Sequence, residues 1–252
     1  MQKYFDINRN GNIVKCKIYY NDIHNLETAV IFGHGFGGHK DNNAAEKFAV
    51  RVIKKNPNAA IITFNWPGHG DDTYSKLTVE KCCSYLHTVI EYTKNDLKIE
   101  NVFGYATSFG GYIFLRYIAK YENPFKKIAL RCPAVKMHSI LTSKIIPIED
   151  YNLIIKGKNA LVGFDRKVEV SLKFITELKE ADITNNNYKD HADNILIMHG
   201  TNDEIVPFDD VKTFADENKI EFVAVDGADH RFVDPLKMDF AISEIIKTFE
   251  FK

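Results

Sequence analysis

Four short stretches hold the residue types that could carry chemistry. The first, Gly104-Tyr105-Ala106-Thr107-Ser108-Phe109-Gly110-Gly111, joins a predicted strand to a predicted helix and puts a serine at the turn. A serine at a sharp strand–turn–helix junction is presented as a nucleophile, and the strained backbone requires small residues two positions before and two after it. Ala106 and Gly110 occupy those positions, with alanine standing where glycine is usual. The helix that follows points partial positive charge and free N–H groups at the place where an oxyanion would develop. A serine that merely caps a helix has the same immediate context, so the remaining chain has to decide between the two.

A serine hydroxyl needs a histidine to take its proton and a carboxylate to fix the imidazole's tautomer. After a late apolar run comes His199-Gly200-Thr201-Asn202-Asp203-Glu204, and after the last one comes Gly227-Ala228-Asp229-His230. Asp203 and His230 therefore join Ser108 at the C-terminal ends of predicted strands, the edge at which open α/β sheets build their sites. Glu204, Asp226 and Asp229 are rivals to Asp203, but Asp229 is adjacent to His230 and would need an awkward reach to its ring. Of the nine histidines, His230 alone follows the final strand. The fourth stretch, Gly33-His34-Gly35-Phe36-Gly37-Gly38-His39, follows an early strand. Its Phe36 N–H and the Phe109 N–H are the expected oxyanion donors. The G-x-x-x-x-G-K-[ST] pattern of a phosphate cradle does not occur, and no ligand spacing makes His34 or His39 a metal site. Asn65-Trp66-Pro67-Gly68-His69-Gly70 reads as a structural turn beside the site.

The elements that must position these residues are legible as alternating apolar bursts and helical patterns. Residues 3–7 and 12–20 read as a hairpin around Asn10-Gly11, a pair suited to positive φ. Strands are predicted over 29–32, 59–64, 102–105, 128–130, 195–198 and 222–225, and helices over 44–55, 79–94, 109–120, 170–179, 209–217 and 238–249. Such alternation predicts a mostly parallel sheet with helices on both faces. About 60 residues separate the strand near Cys132 from the one at Ile195, more than one crossover needs. Residues 136–167 are too apolar for a free loop and read as a small cap packed over the sheet. Tyr151, Leu153, Ile154 and Phe164 are the expected lining of a substrate pocket beneath it. The expected organisation is one α/β domain over 1–252 with a cap insertion at about 136–170.

Composition narrows the function. Lys and Arg number 33 against 34 Asp and Glu, a formal net charge of −1, so there is no electrostatic footprint for nucleic acid or an anionic membrane. Near-neutrality favours a small uncharged ester over a polyanion as substrate. The four cysteines have no metal-ligand spacing and read as reduced buried thiols. No stretch approaches the roughly 18 apolar residues of a membrane helix, and MQKYFDINRNG has no signal-peptide pattern. The expectation is a cytoplasmic protein.

Taken in order, H-G-F, N-W-P-G-H-G, S-F-G-G, H-G-T-N-D and G-A-D-H resemble the α/β-hydrolase superfamily over nearly the whole chain. Within it the chain is similar to small bacterial cinnamoyl/feruloyl esterases and serine-aminopeptidase-like hydrolases with a short cap. The resemblance implies hydrolysis of a carboxylic ester through an acyl-enzyme, without cofactor or metal. It also implies that the phenylalanine of H-G-F, here Phe36, supplies an oxyanion donor. A peptidase, thioesterase or lipid esterase would use the same residues, and a silent hydrolase-fold receptor is the alternative from another class. A dehalogenase would carry aspartate where Ser108 stands.

Overall fold

A computed structural model describes residues 1–251. The chain opens with β1 (Gln2–Arg9) and β2 (Asn12–Tyr19), paired antiparallel through Asn10 and Gly11, both at positive φ as the turn requires. The strands that follow are nearly continuous apolar runs, the pattern of strands covered on both faces. β3 (Thr28–Gly33), β4 (Ala59–Phe64) and β9 (Ile195–Gly200) are buried at every residue. With β5 (Asn101–Thr107), β6 (Ile128–Arg131) and β10 (Glu221–Val225) they complete an eight-stranded sheet in the order β1-β2-β4-β3-β5-β6-β9-β10. Only the β1–β2 and β2–β4 pairings are antiparallel.

Helices cover both faces. α1 (Asn43–Lys55) and the C-terminal α8, which spans Pro235–Thr248, pack on one side, where Phe48, Val52, Ile242 and Ile245 share a buried cluster with Val30, Phe32 and Tyr105. α2 (Val79–Glu91) and α3 (Phe109–Lys120) pack on the other, their apolar stripes meeting Ile31, Ile62 and Val102. The pattern read as one helix to residue 94 ends its α-helical part at Glu91. A π-helical turn, Tyr92–Asp96, follows, with the Thr93 hydroxyl donating to the Val89 carbonyl at 2.8 Å. A side chain bonding back into the preceding turn is a known cause of such distortion.

The long connection after β6 contains α4 (Met137–Ile140), a π-helical turn (Leu141–Ile145), α5 (Ile148–Ile154) and a separate hairpin of β7 (Ala160–Val162) with β8 (Val168–Val170). It is followed by α6 (Leu172–Glu180) and, after β9, by α7 (Phe208–Asn218). Ala160, Val162, Val168 and Val170 are buried in the same cluster as Trp66 and Phe109, which fastens the hairpin next to the β5–α3 turn. Among the described residues no helix is long and apolar enough to cross a membrane.

The β5–α3 turn sits hard against the end of β3. A methyl group at Gly110 would run into the Gly33 carbonyl and stand 2.7 Å from the His34 oxygen, and both obstacles are backbone. Alanine gains at most about 1 kcal/mol over glycine in a helix, whereas forcing atoms into a packed site costs about 1–3 kcal/mol or more. Gly110→Ala is therefore expected to lose about 2 kcal/mol in urea unfolding. Unchanged or increased stability would show that the turn has room to move.

Candidate active site

The sequence-predicted nucleophile is held in a backbone conformation that few residues adopt. Ser108 has φ 51° and ψ −117°, between the last residue of β5 and the first of α3. Its N–H donates to the Arg131 carbonyl at 3.1 Å, and its own carbonyl accepts from Tyr112 and Ala134, each at 3.1 Å. Three hydrogen bonds, to β6, α3 and the loop after β6, thus over-determine a strained residue, the usual condition for such strain to persist. The side chain has no capping bond to the helix, so the helix-cap reading of Ser108 fails and its Oγ is free for another partner.

That partner is His230. Its Nε2 lies 3.1 Å from Ser108 Oγ and its Nδ1 lies 2.8 Å from Asp203 Oδ2. The fold brings together residues from the ends of β5, β9 and β10, in the chain order read from the sequence. Asp203 is fully buried at its side chain, and its other oxygen accepts from the backbone N–H groups of Ile205 at 2.9 Å and Val206 at 2.8 Å. Burial pushes this carboxyl up, but the His230 hydrogen bond and charge, together with the Val206 N–H, outweigh it and leave the group below its ordinary value. The rival Glu204 meets His230 only through a long 3.4 Å bond to its backbone N–H, Asp226 bonds Thr201, and Asp229 bonds Val233.

His199, which the sequence reading passed over, stands behind the carboxylate. It is wholly buried, and its Nε2 lies 3.0 Å from the Val206 carbonyl and 3.3 Å from Asp203 Oδ2. A carbonyl only accepts, so Nε2 carries the proton and donates. Burial holds the ring below its ordinary value and hence neutral. His199 thereby fixes the 203–206 turn without adding a charge. The signal was present in the sequence as a histidine at the end of an otherwise apolar strand.

The first loop supplies the other side of the site. His34 is buried and kept neutral by burial; its Nδ1 donates to the Gly35 carbonyl at 2.8 Å and its Nε2 accepts the Trp66 N–H at 3.4 Å. Gly38 N–H also donates to the Gly35 carbonyl. The loop is thus closed on itself beside Ser108: a Cβ added at Gly35 would meet Ser108 Cβ at 3.3 Å. Among the described residues, neither the Phe36 N–H nor the Phe109 N–H is spent on another group. The Phe36 ring packs edge-on to Phe109 at 6.0 Å and to His69 at 5.5 Å, and His69 stacks on Phe109.

A cleft of about 900 Å³ opens over Ser108 and His230, within the range of small-molecule sites. Phe164 lines it, as the sequence suggested. Tyr151, Leu153 and Ile154 do not: Ile154 is buried in the core, Tyr151 packs against that core, and Leu153 is 40% exposed on the outer face of α5. An amphipathic helix spends its apolar side on packing, and the β7–β8 hairpin takes the place over the cleft instead, through Phe164, Asp165 and Arg166. Cys132 Sγ, an Asp203 oxygen and a His230 nitrogen lie within 4.8 Å of one another. Burial, followed by the Asp203 charge, pushes the Cys132 thiol up, and both His230 nitrogens face partners, so the thiol is a protonated neighbour of the relay.

The buried imidazoles set the response to acid. His34, His199 and His69, the last lowered to about 4, all stay neutral in the fold because burial disfavours their charge. In the unfolded chain they take up protons near their ordinary 6.5, so below that pH the unfolded state binds more protons and stability falls. Each such ring removes up to roughly 1.4 kcal/mol per pH unit until its folded value is reached. Asp203 adds a later loss, as pH drops below its ordinary 3.8 and through its lower folded value. Urea unfolding is therefore expected to show decreasing stability from pH 7 to pH 5; a flat profile there would contradict the neutral buried rings.

A comparison with curated proteins returned no match. Solved structures match over almost their whole length. Est1E from Butyrivibrio proteoclasticus, determined with ferulic acid bound, superposes with a TM-score of 0.72 at 19% identity, covering 97% of this chain and 98% of that one. Mouse alpha/beta hydrolase domain-containing protein 10 gives 0.71 at 17% identity with 97% of each chain covered. The esterase domain of a Rhodothermus marinus protein gives 0.67 at 17% identity, covering 97% and 96%. At these identities the likeness is one of fold. The family model for the alpha/beta hydrolase fold matches residues 28–157, from the start of β3 to just beyond α5, more than half of the chain. With its mostly parallel sheet, its leading hairpin and its strained β5–α3 turn, this chain belongs to the alpha/beta hydrolase fold family.

Proposed function

We propose that the protein is a serine esterase that cleaves a carboxylic ester through an acyl-enzyme. The observation that carries this reading is the single imidazole bridging Ser108 Oγ at 3.1 Å and Asp203 at 2.8 Å above an open cleft. In the proposed reaction His230 Nε2 takes the Ser108 proton as Oγ attacks the ester carbonyl. Asp203 holds the ring with Nδ1–H toward itself and balances the imidazolium. The N–H groups of Phe36 and Phe109 receive the oxyanion, and His230 then passes its proton to the leaving alcohol. A water deprotonated by His230 releases the acid and restores the serine.

The likeness to Est1E, whose structure holds ferulic acid, supports aryl esters as the first class to try. Phe164 and the Phe36 ring are the apolar surfaces on which such a group would rest. The 136–170 segment is read as a cap on one α/β domain, with its hairpin shaping the cleft. The four free, buried cysteines support a reducing, cytoplasmic setting.

The test is hydrolysis of p-nitrophenyl esters from acetate to octanoate, with the amide and thioester of the best acyl chain alongside. Ser108→Ala is expected to fall to background and Asp203→Asn to lose on the order of 10³–10⁴-fold in kcat. A fluorophosphonate should label Ser108 in the wild type. Absence of both turnover and labelling would overturn the hydrolase reading, while faster amide or thioester cleavage would reassign the bond.

A further inference from the structure

β6 ends on a charge. In Ile128-Ala129-Leu130-Arg131 the arginine closes an apolar strand, and only 6% of it is exposed. Strand alternation puts its side chain on the same face as Ala129, toward α1 and α8. Among the described residues the guanidinium makes one hydrogen bond, Nη1–H to the Arg231 carbonyl at 3.0 Å, and lies over the Phe232 ring at 4.9 Å. Nε is buried and donates to nothing, and among the described residues no carboxylate forms an ion pair with the group. The Tyr105 hydroxyl, on the neighbouring strand, is buried beside this guanidinium, whose positive charge works against the upward push of burial on the phenol. Arg131 lines the cleft that holds Ser108 and His230, and its own carbonyl receives the Ser108 N–H.

The other charges of the cleft do not cancel it. Asp165 is paired with Arg231 at 2.9 Å and Asp41 with Lys17 at 3.2 Å, while Glu204 accepts only the neutral His230 backbone N–H at 3.4 Å and stays a single negative charge, outnumbered by Arg131, Lys47 and Arg166. Lys47 and Arg166 also line the cleft and, among the described residues, pair with no carboxylate. The N-terminal turn of α1 borders it too, adding partial positive charge. The charge left over is a cation, and its buried member is Arg131. A guanidinium taken out of water without a counter-ion is costly, and burying it at the rim of a cleft leaves the counter-ion to be brought by a ligand.

We infer that the ester this cleft takes carries a carboxylate, held by Arg131 while the ester carbonyl sits at Ser108. The inference rests on the serine-esterase reading and names its substrate class. One buried positive charge balances a monoanion, and a planar guanidinium matches the two oxygens of a carboxylate. It departs from the expectation drawn from the near-zero net charge, because the overall sum does not report the field at one end of the sheet.

Two matched pairs of esters test it. The mono-p-nitrophenyl ester of adipate against p-nitrophenyl heptanoate places the charge in the acyl half. 4-Butanoyloxybenzoate against 4-methylphenyl butanoate places it in the alcohol half. The wild type is expected to favour the charged member of at least one pair by about tenfold or more in kcat/KM, and Arg131→Met to lower that ratio at least tenfold. Arg131→Met should unfold in urea no more easily than the wild type, since it removes an unbalanced buried charge; clear destabilisation would make Arg131 a structural residue and overturn the inference. Adipate and benzoate should raise the Tm of the wild type and not of the variant, a readout that needs no turnover. Hydrolysis of the neutral esters with no preference in either pair would overturn the inference and leave the esterase reading standing. If no ester is turned over, the Tm shift decides: its absence overturns the inference, and fluorophosphonate labelling of Ser108 separately judges the esterase reading.

Discussion

The fold is organised around one strained residue. Ser108 keeps φ at 51° because the end of β5 and the start of α3 must meet within a single residue, and its neighbours leave no other path. Gly110 lies against the backbone at the end of β3, and the Ser108 amide and carbonyl are tied to β6 and to the segment after it. The strain is supported by the sheet: moving the serine would pull on three adjacent strands. That explains why the small residues around it are a requirement of packing as much as of chemistry.

The same economy governs the carboxylate. Asp203 is buried, which alone would favour its neutral form, yet it accepts three hydrogen bonds and a fourth polar neighbour in His199. Its charge is stabilised by donors the backbone turn presents in any case, so no cation has to be buried beside it. His230 then receives a fixed partner on one nitrogen and is aimed at Ser108 by the other. Gly200 shows how tight this arrangement is, because a methyl there would strike the Ala228 backbone and separate the two loops. His34 does for the first loop what His199 does for the acid: a neutral buried ring turns carbonyls away and leaves amides unspent.

What the sequence revealed divides along the range of the interactions. The hairpin at Asn10-Gly11, the strands and the 109–120 helix follow from local pattern, and the observed α3 has those bounds. Ser108, Asp203 and His230 were legible because strand-end position and chain order place them on one edge. The cap residues were not. Tyr151, Leu153 and Ile154 are apolar residues in an apolar insertion, and nothing local says which of them faces a cleft and which faces the core. That depends on how α5 and the β7–β8 hairpin share the space, a long-range packing outcome. Phe164 reaches the cleft because it belongs to the hairpin's turn rather than to a helix.

Arg131 belongs to a kind of signal that averages conceal. The chain is nearly neutral as a whole, so composition suggested an uncharged ligand. Yet Ile128-Ala129-Leu130-Arg131-Cys132 already contained a charge in a run otherwise fit for the core. In a parallel sheet the last residue of a buried strand is at once interior and site, because the strand ends where the cleft begins. A charge there cannot reach bulk water as a surface lysine would, and it cannot be traded for a hydrophobic residue without changing what the cleft can hold. The position of a charge along a strand therefore says more about the ligand than the number of charges in the chain.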